Sequence, residues 1–133
     1  MIIHMKIFKL FAICSFVFLF AGCERQDLTP GVVGFWQGKY GIGNNYPGNG
    51  YSYLFRGDGT VRVFDGSDTT LANKAEGTYT FLSYDVTTTY TFLNGGDTYS
   101  STGKVNVKLN FIEGTWGRGK STSGMGSFFI SRQ

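Results

Sequence analysis

Val86-Thr87-Thr88-Thr89-Tyr90-Thr91-Phe92-Leu93, followed by Asn94-Gly95-Gly96, alternates two kinds of side chain and then stops in a turn. Val86, Thr88, Tyr90 and Phe92 share one side, and three threonines share the other. A period of two is the mark of a pleated strand with two unlike faces. Asn and Gly then tolerate the positive φ angles that a tight hairpin needs.

The same grammar runs in both directions from this stretch. Strands are expected at 33–42, 50–56, 60–65, 74–82, 86–93, 97–105, 111–118 and 125–132. Gly57-Asp58-Gly59, Gly66-Ser67-Asp68, Ser83-Tyr84-Asp85 and Ser121-Thr122-Ser123-Gly124 punctuate them. Val105, Val107, Leu109 and Phe111 keep one phase, whereas Ile112, Gly114 and Trp116 keep the other. A slip of one residue needs a turn or bulge, placed here near 106–110. No stretch beyond Val33 carries a 3.6-residue apolar period. The expected fold is all-β, an eight-stranded antiparallel up-and-down barrel. A long meander with no helix to cover it removes its edges by closing. A two-sheet sandwich is the rival, but no connection is long enough for a Greek-key crossover.

Trp36, Gly38 and Tyr40 share a side in the first strand, and Tyr51, Tyr53 and Phe55 in the second. Val61 and Val63, then Tyr79 and Phe81, then Phe128 and Ile130 continue the inward face. Many of these are Tyr or Thr, whose buried hydroxyls need partners. Such an interior suits an amphipathic ligand or water, unless the hydroxyls reach the barrel rim. Trp36, Tyr40, Tyr53, Tyr79, Tyr90 and Trp116 are the expected ligand-binding wall.

The start of the chain reads differently. Lys6 and Lys9 precede an apolar run from Leu10 to Phe20, and Ala21-Gly22-Cys23 follow. The run is too short for a membrane-spanning helix, which needs roughly 20 residues. A basic start, a short apolar core and a small-residue exit are those of a secretory signal. Phe20-Ala21-Gly22-Cys23 resembles the lipobox of bacterial lipoproteins, with Phe20 in place of the usual Leu. The resemblance implies a helical lipoprotein signal peptide over 1–22, cleavage before Cys23, and acylation of Cys23. Residues 23–32 then form the acylated Cys and its polar tether. The barrel domain covers 33–133. Membrane attachment through the lipid anchor follows, in an outer-membrane lipoprotein that is periplasmic or surface-exposed. Glu24 after Cys23, rather than Asp, favours the outer membrane.

Composition excludes much chemistry. The only histidine is His4, and Cys14 is the only cysteine besides Cys23. Both His4 and Cys14 fall in the signal, so the mature chain has no imidazole and can form no disulfide. Zinc or copper sites of the His/Cys kind are excluded, as are Ser-His-Asp and Cys-His catalysis. The formal charge of +3 includes Lys6 and Lys9, and no basic run remains to hold nucleic acid. Gly114-Thr115-Trp116-Gly117-Arg118-Gly119-Lys120-Ser121 satisfies the P-loop pattern, but a P-loop must open a helix, and a strand-like end follows instead. Arg56-Gly57-Asp58 is explained by a hairpin. Asp65-Gly66-Ser67-Asp68 lacks the further oxygens of a calcium loop. Glu76 and Glu113 abut glycines on strands, with nothing to place a second acid beside either. No enzyme activity, cofactor or metal is expected, and the protein is read as a monomer.

Gly34-Phe35-Trp36 with Gly38 and Tyr40, and Gly114-Thr115-Trp116-Gly117 with Gly124, Gly126, Phe128 and Ile130, resemble small lipocalin-like lipoproteins of Gram-negative bacteria. The likeness spans about Val33 to Gln133. It implies that Trp36 closes one end of the barrel beneath Arg132 of the last strand, a cation–π contact of about 0.5–2 kcal/mol. The Thr-Asp-Tyr loop motif and C-terminal helix of larger lipocalins are absent. Two functional readings follow. In one, the barrel binds a small hydrophobic or amphipathic ligand in its interior. In the other, a filled barrel is a non-enzymatic envelope module acting through its outer face or loops, centred on Gly41 to Gly50. A void of several hundred Å³ would favour the first.

Overall fold

A computed structural model describes residues 31–133. The stretch read as a signal peptide, Cys23 and most of the stretch read as a tether lie outside the described residues. Eight strands follow in order: β1 Gly34–Tyr40, β2 Asn49–Phe55, β3 Thr60–Asp65, β4 Asn73–Leu82, β5 Asp85–Phe92, β6 Thr98–Val105, β7 Phe111–Arg118 and β8 Gly126–Arg132. Each pairs antiparallel with the next, and β1 pairs with β8 to close the barrel. Among the described residues there is no helix. The expected all-β barrel with hairpin connections is the observed one, and its strand limits follow the alternation read from sequence.

The slip before β7 is a turn. Asn110 and Phe111 donate their backbone N–H groups to the Asn106 side chain at 2.9 and 3.0 Å. The Leu109 N–H bonds the Asn106 carbonyl at 2.9 Å, with Leu109 itself at φ 56°. The asparagine therefore satisfies the backbone of a loop that resets which residues face inward.

Three glycines allow the strands to coil tightly enough to close. A Cβ on Gly38, Gly77 or Gly114 would stand 1.9 Å from the carbonyl oxygen of Phe129, Thr89 or Thr102 on the neighbouring strand. No side chain fits there, so these are the sharp bends of a small barrel rather than flexible links.

The core runs up the axis of the barrel. Trp36, Phe55, Val61, Val86, Val105, Ile112 and Ile130 fill its lower part; Tyr51, Tyr53, Tyr90 and Phe128 fill its middle, with Val63 and Ala75, the register partners of Tyr53 and Phe92, beside them. Hairpin alternation puts the β1–β2, β3–β4, β5–β6 and β7–β8 loops at one end. The remaining turns and both ends of the described chain lie at the other.

Candidate functional site

The lower end is plugged. The Trp36 indole N–H donates to the Val32 carbonyl at 2.8 Å, and the ring is fully buried. Arg132 reaches the same place from β8, the register partner of Trp36. Its guanidinium carbon lies 4.6 Å from the Trp36 ring centroid. Its nitrogens donate to the carbonyls of Leu109 at 2.8 Å, Val33 at 2.6 Å and Gly31 at 2.6 Å. A planar fork thus ties the start of the domain, the β6–β7 loop and the last strand together. Tyr79 belongs to this half as well: its hydroxyl donates to the Arg56 carbonyl at 2.7 Å, and its ring packs edge-on against Phe55.

Above the plug lies a layer of hydroxyls. Tyr51 bonds Tyr53 at 2.5 Å and also Tyr90. Tyr53 bonds Ser101 at 3.2 Å, and Ser101 bonds Thr88 at 2.6 Å. Burial, together with neighbouring hydroxyls, pushes Tyr51 and Tyr90 well above the ordinary phenol range, and burial raises Tyr53 too. All three stay neutral. Among the described residues no buried side-chain N or O lacks a partner. Of the hydroxyls foreseen from composition, those of Tyr51, Tyr53, Thr88 and Tyr90 therefore do not sit at the rim. They bridge the middle of the barrel and satisfy one another.

Above that layer the barrel is open. A cavity of about 330 Å³ is lined by Tyr40, Tyr51, Tyr90, Phe92, Tyr99 and Trp116, with Ile42, Asp65, Asn73, Asn94, Asp97 and Met125 toward the mouth. The six aromatic rings form an unbroken belt. Tyr51 touches Tyr40 at 5.1 Å between centroids, Tyr40 touches Trp116 at 5.6 Å, and Trp116 touches Tyr99 at 5.7 Å. Tyr99 meets Phe92 at 5.9 Å, Phe92 meets Tyr90 at 6.0 Å, and Tyr90 returns to Tyr51 through their hydroxyls. The Trp116 indole N–H donates to the Gly41 carbonyl at 3.0 Å, which fixes the ring. The Tyr40 hydroxyl donates to Asp65 at 3.0 Å, and burial with the Asp65 charge raises it to about 12.

Comparison with known protein families, curated proteins and solved structures returns no match. Of the six expected wall residues, the fold brings Tyr40, Tyr90 and Trp116 together around the cup. Tyr53 lies just beneath its floor. Trp36 and Tyr79 lie in the plugged half and do not line the cavity. Tyr51, Phe92, Tyr99, Asp65 and Asp97 line it without having been singled out as wall residues. The signal was available: Tyr40 ends one strand, Tyr51 lies near the start of the next, and the hairpins put strand ends and following starts at one rim.

The sequence patterns set aside above have structural explanations. Gly114 to Arg118 lies in β7, and Gly119-Lys120-Ser121 turns toward β8, with the Ser121 N–H bonded to the Arg118 carbonyl at 3.2 Å. Glu76 accepts from Arg56 at 2.9 Å and from Arg62, which holds its carboxyl below the ordinary range. Asp58 accepts from the Thr60 hydroxyl at 2.6 Å and caps the Gly-Asp-Gly turn. Asp68 accepts from the Thr70 N–H at 2.9 Å inside its own loop. Among the described residues no group of three or more His, Cys, Asp or Glu side chains is placed to hold a metal ion.

Proposed function

We propose that the protein is a lipid-anchored envelope barrel that takes a small hydrophobic or amphipathic molecule into its cup. The half-filled barrel carries this reading. Below the hydroxyl layer buried side chains pack the interior, and above it an aromatic-walled space of about 330 Å³ opens to solvent. That volume is at the lower end of the usual range for small-molecule sites, roughly 300–1,000 Å³. Apolar ring surface would supply burial, and the Asn and Asp side chains at the mouth would meet a polar end.

The anchor reading rests on the lipobox-like stretch before Cys23. Residues 24–30 separate that cysteine from Gly31, which Arg132 holds at the plugged end. Acylation of Cys23 would seat that end toward the bilayer and turn the mouth away from it. Attachment to the outer membrane is part of the same proposal.

Titration of the purified protein with medium-chain fatty acids, sterols and haem-like compounds tests the cup. A saturable change in Trp116 emission in a Trp36→Phe variant is expected for at least one class. If every compound leaves it unchanged, the ligand reading fails. Replacing Cys23 with Ser should move the protein from the membrane to the soluble fraction.

A second reading, a module acting through its outer face, is favoured by one observation. A groove of about 550 Å³ runs between Tyr46-Pro47 and Phe111, Thr115 and Phe129 on the outside of β7 and β8. Tyr46 is 84% exposed above it. On that reading Tyr46→Ala, and not a change at Trp116, would abolish the protein's function.

A further inference from the structure

We infer that the cup selects a small organic cation, an alkyl or quaternary ammonium with an apolar body, over neutral or anionic molecules of the same shape. This rests on the cup being a ligand site, as proposed above, and specifies the ligand.

The shape of the belt is the first ground. Tyr40 and Tyr51 meet at 62°, Tyr40 and Trp116 at 87°, Tyr99 and Trp116 at 68°, Phe92 and Tyr99 at 78°, and Tyr90 and Phe92 at 82°. Rings set this steeply to one another make a box, not a flat wall on which a planar ligand would stack. Ring faces carry negative potential, and a box of them is what a compact cation prefers.

Charge is the second ground. Asp65 and Asp97 stand among the lining residues, and no Lys or Arg does. Burial first, then Tyr53, and last the Asp65 charge raise the Tyr90 hydroxyl. Two donors that an anion could use are already engaged: the Trp116 N–H on Gly41 and the Tyr40 hydroxyl on Asp65. Arg118, beyond the lining, places its guanidinium 5.8 Å from the Tyr99 ring centroid. The belt thus already holds one cation at its edge, by the contact that a ligand would repeat inside. Arg118 also sets a competing positive charge, which two carboxylates offset.

The chain has two tryptophans, and they separate the test from its control. Trp116 lines the cup, whereas the Trp36 N–H is tied to Val32 in the plug. The purified protein, 15N-labelled at tryptophan, is titrated with choline, with benzyltrimethylammonium, with 3,3-dimethylbutan-1-ol as the uncharged isostere of choline, and with decanoate. The cations should move the Trp116 indole resonance saturably and leave Trp36 in place. Choline should bind about tenfold or more tighter than its isostere. Asp65→Asn and Asp97→Asn should each weaken cation binding severalfold, while Glu113→Gln on the outer face should not. A preserved Trp36 resonance reports that each variant is folded. If the alcohol or decanoate binds as tightly as the cations, or if neither Asp variant weakens them, the cation preference is overturned and the cup survives as a ligand site. If no probe moves Trp116, both readings fall.

Discussion

The guanidinium carbon of Arg132 stands 4.6 Å from the centre of the Trp36 ring, and the two residues are register partners across the β1–β8 seam. The contact that closes the barrel in cross-section is thus the one that closes its lower end. Arg132→Ala should lower unfolding free energy by about 3 kcal/mol, since it removes a cation–π contact and charge-assisted bonds to three carbonyls. Arg132→Lys keeps the charge but not the fork, and should recover less than half of the loss. Urea denaturation of the three proteins measures both effects.

Gly77→Ala should be far more damaging than its single methyl suggests. The new Cβ would lie 1.9 Å from the Thr89 carbonyl oxygen and 2.6 Å from the Tyr90 Cα, all backbone atoms that cannot step aside. A loss of about 3 kcal/mol or more, or failure to fold, is expected. Gly95→Ala meets open space and only a positive φ, and should cost about 1 kcal/mol. Thermal unfolding followed by far-ultraviolet circular dichroism compares the two.

Alkaline pH should unfold the protein from within. Tyr51, Tyr53 and Tyr90 are raised by burial, and Tyr40 to about 12 by burial and Asp65. A raised folded-state value means that the unfolded chain loses these protons first, starting near pH 10. Stability from this source is complete below pH 10 and declines as pH rises toward 12. The melting temperature should fall over that window, and tyrosinate absorbance should rise together with unfolding. A melting temperature independent of pH between 10 and 12 would contradict this account.

Acid acts on the outer face instead. Hydrogen bonds from Arg56, and then from Arg62, hold the Glu76 carboxyl below its ordinary value, so their stabilisation is present above about pH 4.5 and is lost below it. All three side chains are about one-third exposed, which screens the pairs. Glu76→Gln should therefore cost less than about 1 kcal/mol at pH 7 and flatten the stability curve between pH 5 and 3. Chemical denaturation across that range, with and without high salt, checks it.

How much of this is legible in the sequence depends on the kind of information. Alternation along one strand is local, so Val86 to Phe92 and the turn at Asn106 to Asn110 could be read directly. The Trp36–Arg132 contact followed from closure and the family likeness. Height along the barrel axis is not local. Trp36 and Tyr40 share a face and look alike in sequence, yet one seals the base and the other walls the mouth, because four residues of strand span about 13 Å. Tyr53 and Tyr51 differ in the same way by one step. The carboxylates of Asp65 and Asp97 face one cavity only because β3 and β5 both run upward, a relation that no window of sequence contains.

The described chain enters and leaves through the same sealed base, with the Gln133 N–H bonded to the Phe35 carbonyl at 3.0 Å. The four upper loops thus stand at the opposite end of the barrel from Gly31 and Gln133. A fluorescent protein or affinity handle joined at Gln133 would hang beneath the base and leave the mouth unobstructed. Lengthening or randomising those loops would re-tool the opening while the foundations stayed as they are, which makes this small cylinder a natural frame for engineered receptors.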